Sequence, residues 1–201
     1  MEPEPDTQAD LGRDHMLAFQ AGDGSAFERL IALYSERAYA LFVRFTGRHE
    51  GAEDLVQELF LRMWRARDRY EPSARFSTWM YRIAFNLAVN EGERRRNRQG
   101  ISLEGHGEDG ELDRERLADE RQPDPGQSIE REDVVRQVQE AIAALPENQR
   151  MALILARYEE LSHQEIGDAL GISSKAVKSL VHRARETLRQ TLAHVLSEEW
   201  S

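Results

Sequence analysis

The sequence contains no cysteine, so neither a disulfide framework nor a thiolate metal site can form. Long apolar runs are missing too, and no stretch approaches the roughly 20 residues that a membrane-spanning helix needs. The first ten residues, MEPEPDTQAD, are acidic, whereas a signal peptide starts with basic residues followed by an apolar core. We therefore expect a soluble, cytoplasmic protein with no membrane insertion, no metal and no other cofactor.

Positive charge is less abundant than negative charge. The chain contains 27 Lys and Arg and 37 Asp and Glu, which gives a formal net charge of -10. Attraction to nucleic acid, however, depends on local patches within a Debye length of about 10 Å. Much of the acid lies in the first ten residues and in residues 99–127, which are rich in Gly, Pro, Asp and Glu. Few large apolar side chains occur in 99–127, and this composition predicts a flexible acidic linker.

Outside the linker, apolar residues recur at the three-to-four spacing of helices, and no stretch sustains the alternation of a strand. The sequence therefore predicts an all-α protein with two helical domains, at 14–98 and 128–197. Asp23, Gly24 and Ser25 are candidate caps at the start of a long helix in the first domain, and Gly47 indicates its end.

A later helix of the first domain combines aromatic, amide and arginine side chains. It is predicted to begin near Phe76, after Pro72 interrupts the pattern, and to end near Asn90 because Gly92 disfavours a helix interior. Aromatic rings that stack on bases contribute about 1–3 kcal/mol each, and arginines hold phosphates, so this segment suits single-stranded nucleic acid. The competing interpretation places the aromatics in the core and the arginines at a helix C-terminus. The periodicity predicts a core stripe and leaves Tyr81 on the remaining surface.

The second domain contains a pattern typical of a helix-turn-helix. Ser162 and Glu165 form a capping box at the start of a short helix, and Gly171 permits the tight turn after it. Either Ser173 or Ser174 caps the longer helix that follows.

When the residues of that longer helix are placed at about 100° each around the helix axis, their side chains fall into two stripes. One is apolar and begins at Val177; the other is basic and consists of Lys175, Lys178, His182, Arg185 and Arg189. A basic stripe alone is typical of a solvated face, but the short helix, capping box and turn before it favour DNA binding through the major groove.

The combination resembles a bacterial RNA polymerase sigma factor of the extracytoplasmic-function (ECF) type, in the sigma-70 family. The first domain carries this resemblance in AEDLVQELFLRMWRA and FSTWMYRIAFNLAVN, and the second in LPENQRMALILARYEELSHQEIGDALGISSKAVKSLVHRARETL. It covers nearly the whole chain and implies a region 2 bundle and a region 4 helix-turn-helix. The implied function is promoter recognition, DNA melting and transcription initiation for a stress or envelope-signal regulon, with no enzyme activity.

The resemblance also implies partners and site residues. Core RNA polymerase would be bound through its β′ clamp and β flap, and an anti-sigma factor would regulate the chain. The residues that match the clamp-binding segment are Asp54, Leu55, Val56, Gln57 and Glu58. Those that match contacts to the melted minus-10 strand are Tyr70, Arg75, Tyr81, Arg82, Ile83, Ala84, Asn86 and Asn90. Those that match contacts to the minus-35 duplex are Ser174, Lys175, Lys178, Ser179, His182 and Arg183.

Two other classes of protein explain less of the sequence. A stand-alone regulator with one helix-turn-helix would explain residues 128–195 but not the DLVQE segment or the aromatic and arginine helix. An enzyme or metal protein finds little support, because His163 and His182 fall on different predicted helices and the acidic residues form no constellation.

Overall fold

The computed structural model describes residues 10–101 and 125–193 of the 201-residue chain, and within them the side chains of 10–98 and 133–193. This part of the chain is helical and contains no strand, as the sequence predicts. Its helices are α1 (Leu11–Gln20), α2 (Gly24–Thr46), α3 (Ala52–Arg65), α4 (Phe76–Ile101), α5 (Pro125–Ala143), α6 (Glu147–Tyr158), α7 (His163–Leu170) and α8 (Ser174–Thr191), with a short 3-10 helix at Arg67–Arg69. Most of the predicted linker, residues 102–124, lies outside the described residues.

Helices α1 to α4 form an N-terminal domain whose helix ends follow the local sequence. Asp23 caps α2 by accepting a hydrogen bond from the Ser25 N–H, and Gly47 ends it in the left-handed conformation. Of the three candidate caps Asp23 is the one used, and the predicted end at Gly47 is confirmed. The apolar faces of these helices meet in a core with a high share of aromatic rings, in which Trp64 packs against Phe19 at 4.7 Å and Phe27 at 5.0 Å between ring centroids.

Two polar side chains of α1 hold distant parts of this domain in place. One carboxylate oxygen of Asp10 caps α1 at the Arg13 N–H (3.1 Å), and the other accepts from the Phe76 N–H at the start of α4 (2.8 Å). The Gln20 amide donates to the backbone carbonyls of Arg67 (2.6 Å) and Tyr70 (3.0 Å). Helix α1 thereby fixes the segment between α3 and α4 at both ends.

Helix α4 corrects two expectations. It continues to Ile101, so the predicted end near Asn90 is wrong. The arginines of its last turns form the pairs Arg95–Glu50, Arg96–Glu147 and Arg98–Glu91, and one glycine costs only about 1 kcal/mol in a helix interior. Tyr81, expected on the surface, is fully buried, because a second domain covers that face of the helix.

Helices α5 to α8 form a C-terminal domain, in which α8 packs on α6 and α7. Arg150 joins the start of this domain to the end of α2. Its guanidinium donates to the carbonyls of Leu145 (2.8 Å) and Phe45 (2.7 Å) and lies 4.9 Å from the centroid of the Phe45 ring. These bonds satisfy carbonyl groups left free at two helix C-termini.

The two domains pack directly against each other. Helix α4 contacts α7, and α2 contacts both α5 and α6. The buried side chains of the N-terminal domain form one continuous cluster with those of α6, α7 and α8, including Met151, Ile166 and Val177. The fold therefore brings one face of α4 and one edge of the C-terminal domain into a shared interface.

Because the Asp10 carboxylate accepts hydrogen bonds at the starts of both α1 and α4, its removal should lower the stability of the fold. Asp10→Ala leaves two helix N-termini without their acceptor and should lower the free energy of unfolding by about 1–2 kcal/mol. Urea denaturation followed by circular dichroism measures this loss. Asp14→Ala is the matched control, because Asp14 is exposed and contacts only Arg13 at 3.7 Å; an equal loss in both variants would contradict the assigned role.

Candidate nucleic-acid and polymerase interfaces

The turn between α7 and α8 is built as the sequence predicts. The Ser162 hydroxyl accepts from the Glu165 N–H (3.2 Å), and the Glu165 carboxylate accepts from the Ser162 N–H (2.8 Å), which completes the capping box. Gly171 ends α7 with a φ of 70°, and the Ser173 hydroxyl caps α8 at the Ala176 N–H. Of the two serines considered for this cap, Ser173 supplies it.

A second glycine of this motif is needed for close packing and was missed by the sequence analysis. Gly167 is buried in the middle of α7, and a Cβ atom there would lie 2.6 Å from the carbonyl oxygen of Ile172. That separation is far below van der Waals contact, so only glycine lets the turn close on α7.

Helix α8 presents its basic side chains to solvent. Val177, Val181 and Ala184 are buried on one side. Five of the six predicted minus-35 residues are exposed and the sixth, Ser174, is partly exposed; the exposed ones are Lys175, Lys178, Ser179, His182 and Arg183. This arrangement is the one that a helix needs to enter a major groove while its other side stays packed.

The second candidate surface lies where the loop after α3 meets the start of α4. It contains a cavity of about 250 Å³. The lining residues are Glu71, Ser73, Ala74, Arg75, Thr78, Trp79, Arg82 and Asp168. Of these, Arg75 and Arg82 were predicted as minus-10 contacts. Asp168 belongs to α7, so the C-terminal domain forms part of the cavity wall.

Thr78 is a functional candidate that the sequence analysis missed. The residue is 2% exposed, and its hydroxyl has no hydrogen-bond partner among the described residues. A buried, unpaired hydroxyl costs free energy unless a ligand satisfies it. At about 100° per residue Thr78 falls outside the apolar stripe of α4, so the sequence pattern gave no sign of its burial.

The other predicted minus-10 residues divide by exposure. Asn86 and Asn90 are exposed and Ile83 is partly exposed, whereas Tyr70 is 3% exposed and Ala84 is fully buried. Burial raises the pKa of Tyr70 to about 12, so its hydroxyl stays protonated. Its ring packs edge-on against Trp79 at 5.0 Å, which places it in the wall behind the cavity loop.

Tyr81 is bound by the C-terminal domain. Its hydroxyl donates to the Glu159 carboxylate at 2.5 Å, and the same carboxylate accepts from the Arg37 guanidinium at 2.8 Å. Burial, together with the neighbouring Glu159 carboxylate, raises the pKa of Tyr81, so the phenol remains the donor. The sequence analysis missed both Arg37 and Glu159, because nothing local predicts a contact across 78 or 122 residues.

The predicted polymerase-binding segment lies on α3. Asp54 and Gln57 are exposed, Val56 and Glu58 are partly exposed, and Leu55 is buried in the core. Val56 and Gln57 also line an open groove of about 680 Å³ between α2 and α3, opposite Tyr39 and Val43 of α2. The segment is thus half core and half accessible surface.

The geometry combines a helix-turn-helix with an exposed basic face in one domain and an aromatic and arginine surface in the other. Residues 30–99 match the family Sigma-70 region 2, and residues 135–188 match Sigma-70, region 4. The chain is 33% identical over 172 residues to the ECF RNA polymerase sigma factor SigW of Bacillus subtilis (strain 168), covering 85% of this chain and 91% of the relative.

Solved structures show the same fold. The sigma factor RpoE in complex with the anti-sigma factor NepR from Bartonella quintana matches with a TM-score of 0.65 and 23% identity, over 83% of this chain and 96% of that one. CnrH in complex with the cytosolic domain of CnrY matches with a TM-score of 0.64 and 24% identity, over 92% and 99%. The chain belongs to the ECF RNA polymerase sigma factors, which are transcription initiation factors.

No helix among residues 10–101 and 125–193 is long and apolar enough to cross a membrane.

The close approach at Gly167 predicts that the turn does not tolerate a side chain. Gly167→Ala should lower the stability of the C-terminal domain by about 1–3 kcal/mol, because the methyl group would overlap the Ile172 carbonyl. Thermal unfolding measures this effect. Gly92→Ala is the control, since a Cβ there meets nothing closer than 3.7 Å and should leave stability unchanged or raise it by roughly 1 kcal/mol. Equal effects of the two substitutions would contradict the assignment.

Proposed function

We propose that this sigma factor uses three separate surfaces to start transcription in the cytoplasm. The α3 segment Asp54–Glu58 binds the β′ clamp of core RNA polymerase, and the C-terminal domain docks on the β flap. Helix α8 reads the minus-35 duplex, and the cavity at the start of α4 holds a base of the melted minus-10 strand. The observation that carries the proposal is that one chain bears a helix-turn-helix with an exposed basic face and a separate cavity lined by aromatic, hydroxyl and arginine side chains.

The cavity supports the proposed role in melting. A flipped base costs a few kcal/mol to extrude from the stack, and stacking and base-edge hydrogen bonds must offset this cost. Trp79 offers an aromatic surface, Thr78 an unpaired hydroxyl, and Arg75 and Arg82 positive charge at the rim. Each group that such a pocket needs is therefore present.

Each proposed role belongs to one of the domains proposed from the sequence. These domains span residues 14–98 and 128–197, with a linker at 99–127. The acidic linker would thread the RNA-exit and active-site channels of polymerase. An anti-sigma factor that binds both domains is the proposed regulator, because the structurally similar RpoE was solved in complex with the anti-sigma factor NepR.

Run-off transcription with core polymerase tests the proposal as a whole. Addition of this protein should yield transcripts from specific promoters, and pull-down should show that it binds core polymerase. No promoter-specific transcript over a range of candidate promoters, together with no core binding, would contradict the proposal. Tight binding to an operator duplex without polymerase would instead favour a stand-alone regulator.

The minus-35 assignment predicts a selective loss in helix α8. Lys178→Ala and Arg183→Ala should each reduce run-off transcription by about tenfold, because each removes a cation from the groove-facing surface. Arg189→Ala is the matched control, since Arg189 lies near the end of α8 and pairs with Glu186. If all three variants lost activity equally, general charge and not groove contact would be responsible.

The clamp-binding assignment predicts a different defect. Asp54→Lys should weaken binding to core polymerase at least about tenfold, because reversal of an exposed charge replaces attraction by repulsion at the proposed interface. Fluorescence anisotropy with labelled protein measures the affinity. Glu28→Lys, an equal charge reversal at an exposed position of α2, should bind normally; unchanged binding of Asp54→Lys would remove this segment from the interface.

A further inference from the structure

A cavity of about 250 Å³ lies among the end of α2, the last turns of α4 and the start of α6. Its lining includes four arginine side chains, which are Arg48, Arg95, Arg96 and Arg150. The first three come from the N-terminal domain, and Arg150 comes from the C-terminal domain. None of the four belongs to the residues proposed to contact the polymerase clamp or DNA, so the proposed function leaves this cluster unexplained.

The carboxylates around the cavity do not neutralise its positive charge. Among the described residues only two glutamates line it, and one of them, Glu91, pairs with Arg98, which is not part of the lining. The other, Glu147, accepts both of its hydrogen bonds from Arg96, each at 3.0 Å. Arg48 has no carboxylate within ion-pair distance in the part of the chain that the structure describes, so its charge is unpaired.

The remaining two arginines have weak or neutral partners. Arg95 reaches Glu50 at 3.8 Å, and that carboxylate is 76% exposed, so the pair contributes little. Arg150 donates to two backbone carbonyls, and its Nε atom is buried with no hydrogen-bond partner among the described residues. Burial lowers the pKa of Arg150 even though the Glu147 carboxylate is near. A guanidinium nevertheless stays protonated, so Arg150 brings an uncompensated charge to the cavity.

Gly92 keeps the cavity open on the side of α4. A Cβ atom at this position would lie 3.7 Å from the Glu147 carboxylate and 3.8 Å from the Arg96 guanidinium. A larger side chain would therefore extend into the space among the arginines. The glycine that costs stability inside α4 thus leaves room for a ligand between the two domains.

Clustered arginines around a small space are suited to bind phosphate. The planar guanidinium donates paired hydrogen bonds that match the geometry of phosphate oxygens, and such charge-assisted bonds are roughly twice as strong as neutral ones. A phosphate monoester carries about -1.5 to -2 charges at neutral pH, so it compensates several cations where a carboxylate compensates one. The cavity is smaller than the roughly 300–1,000 Å³ of pockets for drug-sized ligands, which favours a small anion.

We propose that the cavity among α2, α4 and α6 binds a phosphate group through Arg48, Arg95 and Arg150. The bound anion contacts both domains, because Arg150 belongs to one and the other two arginines belong to the other. Two sources supply a phosphate group of this kind, namely a small phosphorylated anion free in solution and the backbone of a DNA duplex. An anion that binds only the folded arrangement also raises its thermal stability.

Calorimetric titration of the full chain with sodium pyrophosphate tests the first source, in magnesium-free buffer at constant ionic strength. Arg48→Gln removes the unpaired cation without breaking an ion pair, so it should weaken pyrophosphate binding at least about tenfold. Arg94→Gln is the matched control, because it removes the same charge from an exposed side chain of α4 outside the cavity lining. This control should bind pyrophosphate within about twofold of wild type.

Glu147→Gln tests the site in the opposite direction. The substitution releases Arg96 from its carboxylate partner, so pyrophosphate should bind about three- to tenfold more tightly. Glu93→Gln makes the same charge change at an exposed side chain of α4 that does not line the cavity, and it should leave the affinity unchanged.

Thermal unfolding provides a second measurement on the same proteins. Pyrophosphate at ten times its dissociation constant for wild type should raise the Tm of wild type by about 3–6 °C. The same concentration should raise the Tm of Arg48→Gln by only about 1–2 °C, because the weakened site is then half occupied. Circular dichroism confirms that each variant is folded.

A fluorescently labelled duplex of about 20 base pairs and mixed sequence tests the second source by anisotropy. Weaker pyrophosphate binding by Arg48→Gln with unchanged duplex affinity assigns the site to a free anion. No pyrophosphate binding by wild type, with duplex affinity lost in Arg48→Gln and retained in Arg94→Gln, assigns it to backbone phosphate. Weakening of both identifies a site that accepts either source.

Two results would overturn the phosphate site. One is no pyrophosphate binding by wild type together with equal duplex affinity in all variants. The other is an equal loss in Arg48→Gln and Arg94→Gln, since general charge and not the cavity would then attract the anion. Either result leaves the proposed sigma function untouched, because that function is tested by run-off transcription and uses other residues.

Discussion

The burial of one carboxylate, that of Glu159, is the constraint on which the domain arrangement depends. A charge removed from water must be matched by partners at hydrogen-bond distance, and here Tyr81 and Arg37 supply them from two different helices. Because both partners belong to the N-terminal domain, the requirement fixes α6 against α2 and α4. The packing of α7 over the cavity at the start of α4 follows from this placement.

The same interaction explains how an acidic chain can bind DNA. The net charge of -10 is an average over segments with different roles. Part of the acid in the described residues is paired with N-terminal arginines at the domain interface, as in Arg37–Glu159 and Arg75–Glu165. The cations of α8 remain exposed, so the charge that a duplex meets is positive although the chain is negative.

Local features of the fold could be predicted from the sequence, and long-range ones could not. Caps and turns depend on neighbours a few residues apart, so Gly47 and the Ser162–Glu165 box were predicted correctly and the cap of α2 was narrowed to three residues that include Asp23. The end of α4 was predicted wrongly because the ion pairs that sustain it past Gly92 involve Glu50 and Glu147, far away along the chain. The burial of Tyr81 could not be read from the periodicity of α4, since the covering surface belongs to another domain. The same holds for Asp10, whose second bond reaches Phe76.

The central claim is that the buried Glu159 carboxylate fixes the two domains in one arrangement. Because the chain has no cysteine, Glu28→Cys and Gln190→Cys introduce a unique pair of exposed label sites, one in each domain. Pulsed electron paramagnetic resonance then measures the distance between the two spin labels. We predict one narrow distance distribution in this labelled chain and a broad one when Glu159→Gln is added. The same narrow distribution in both proteins, or a broad distribution before Glu159 is changed, would contradict the account.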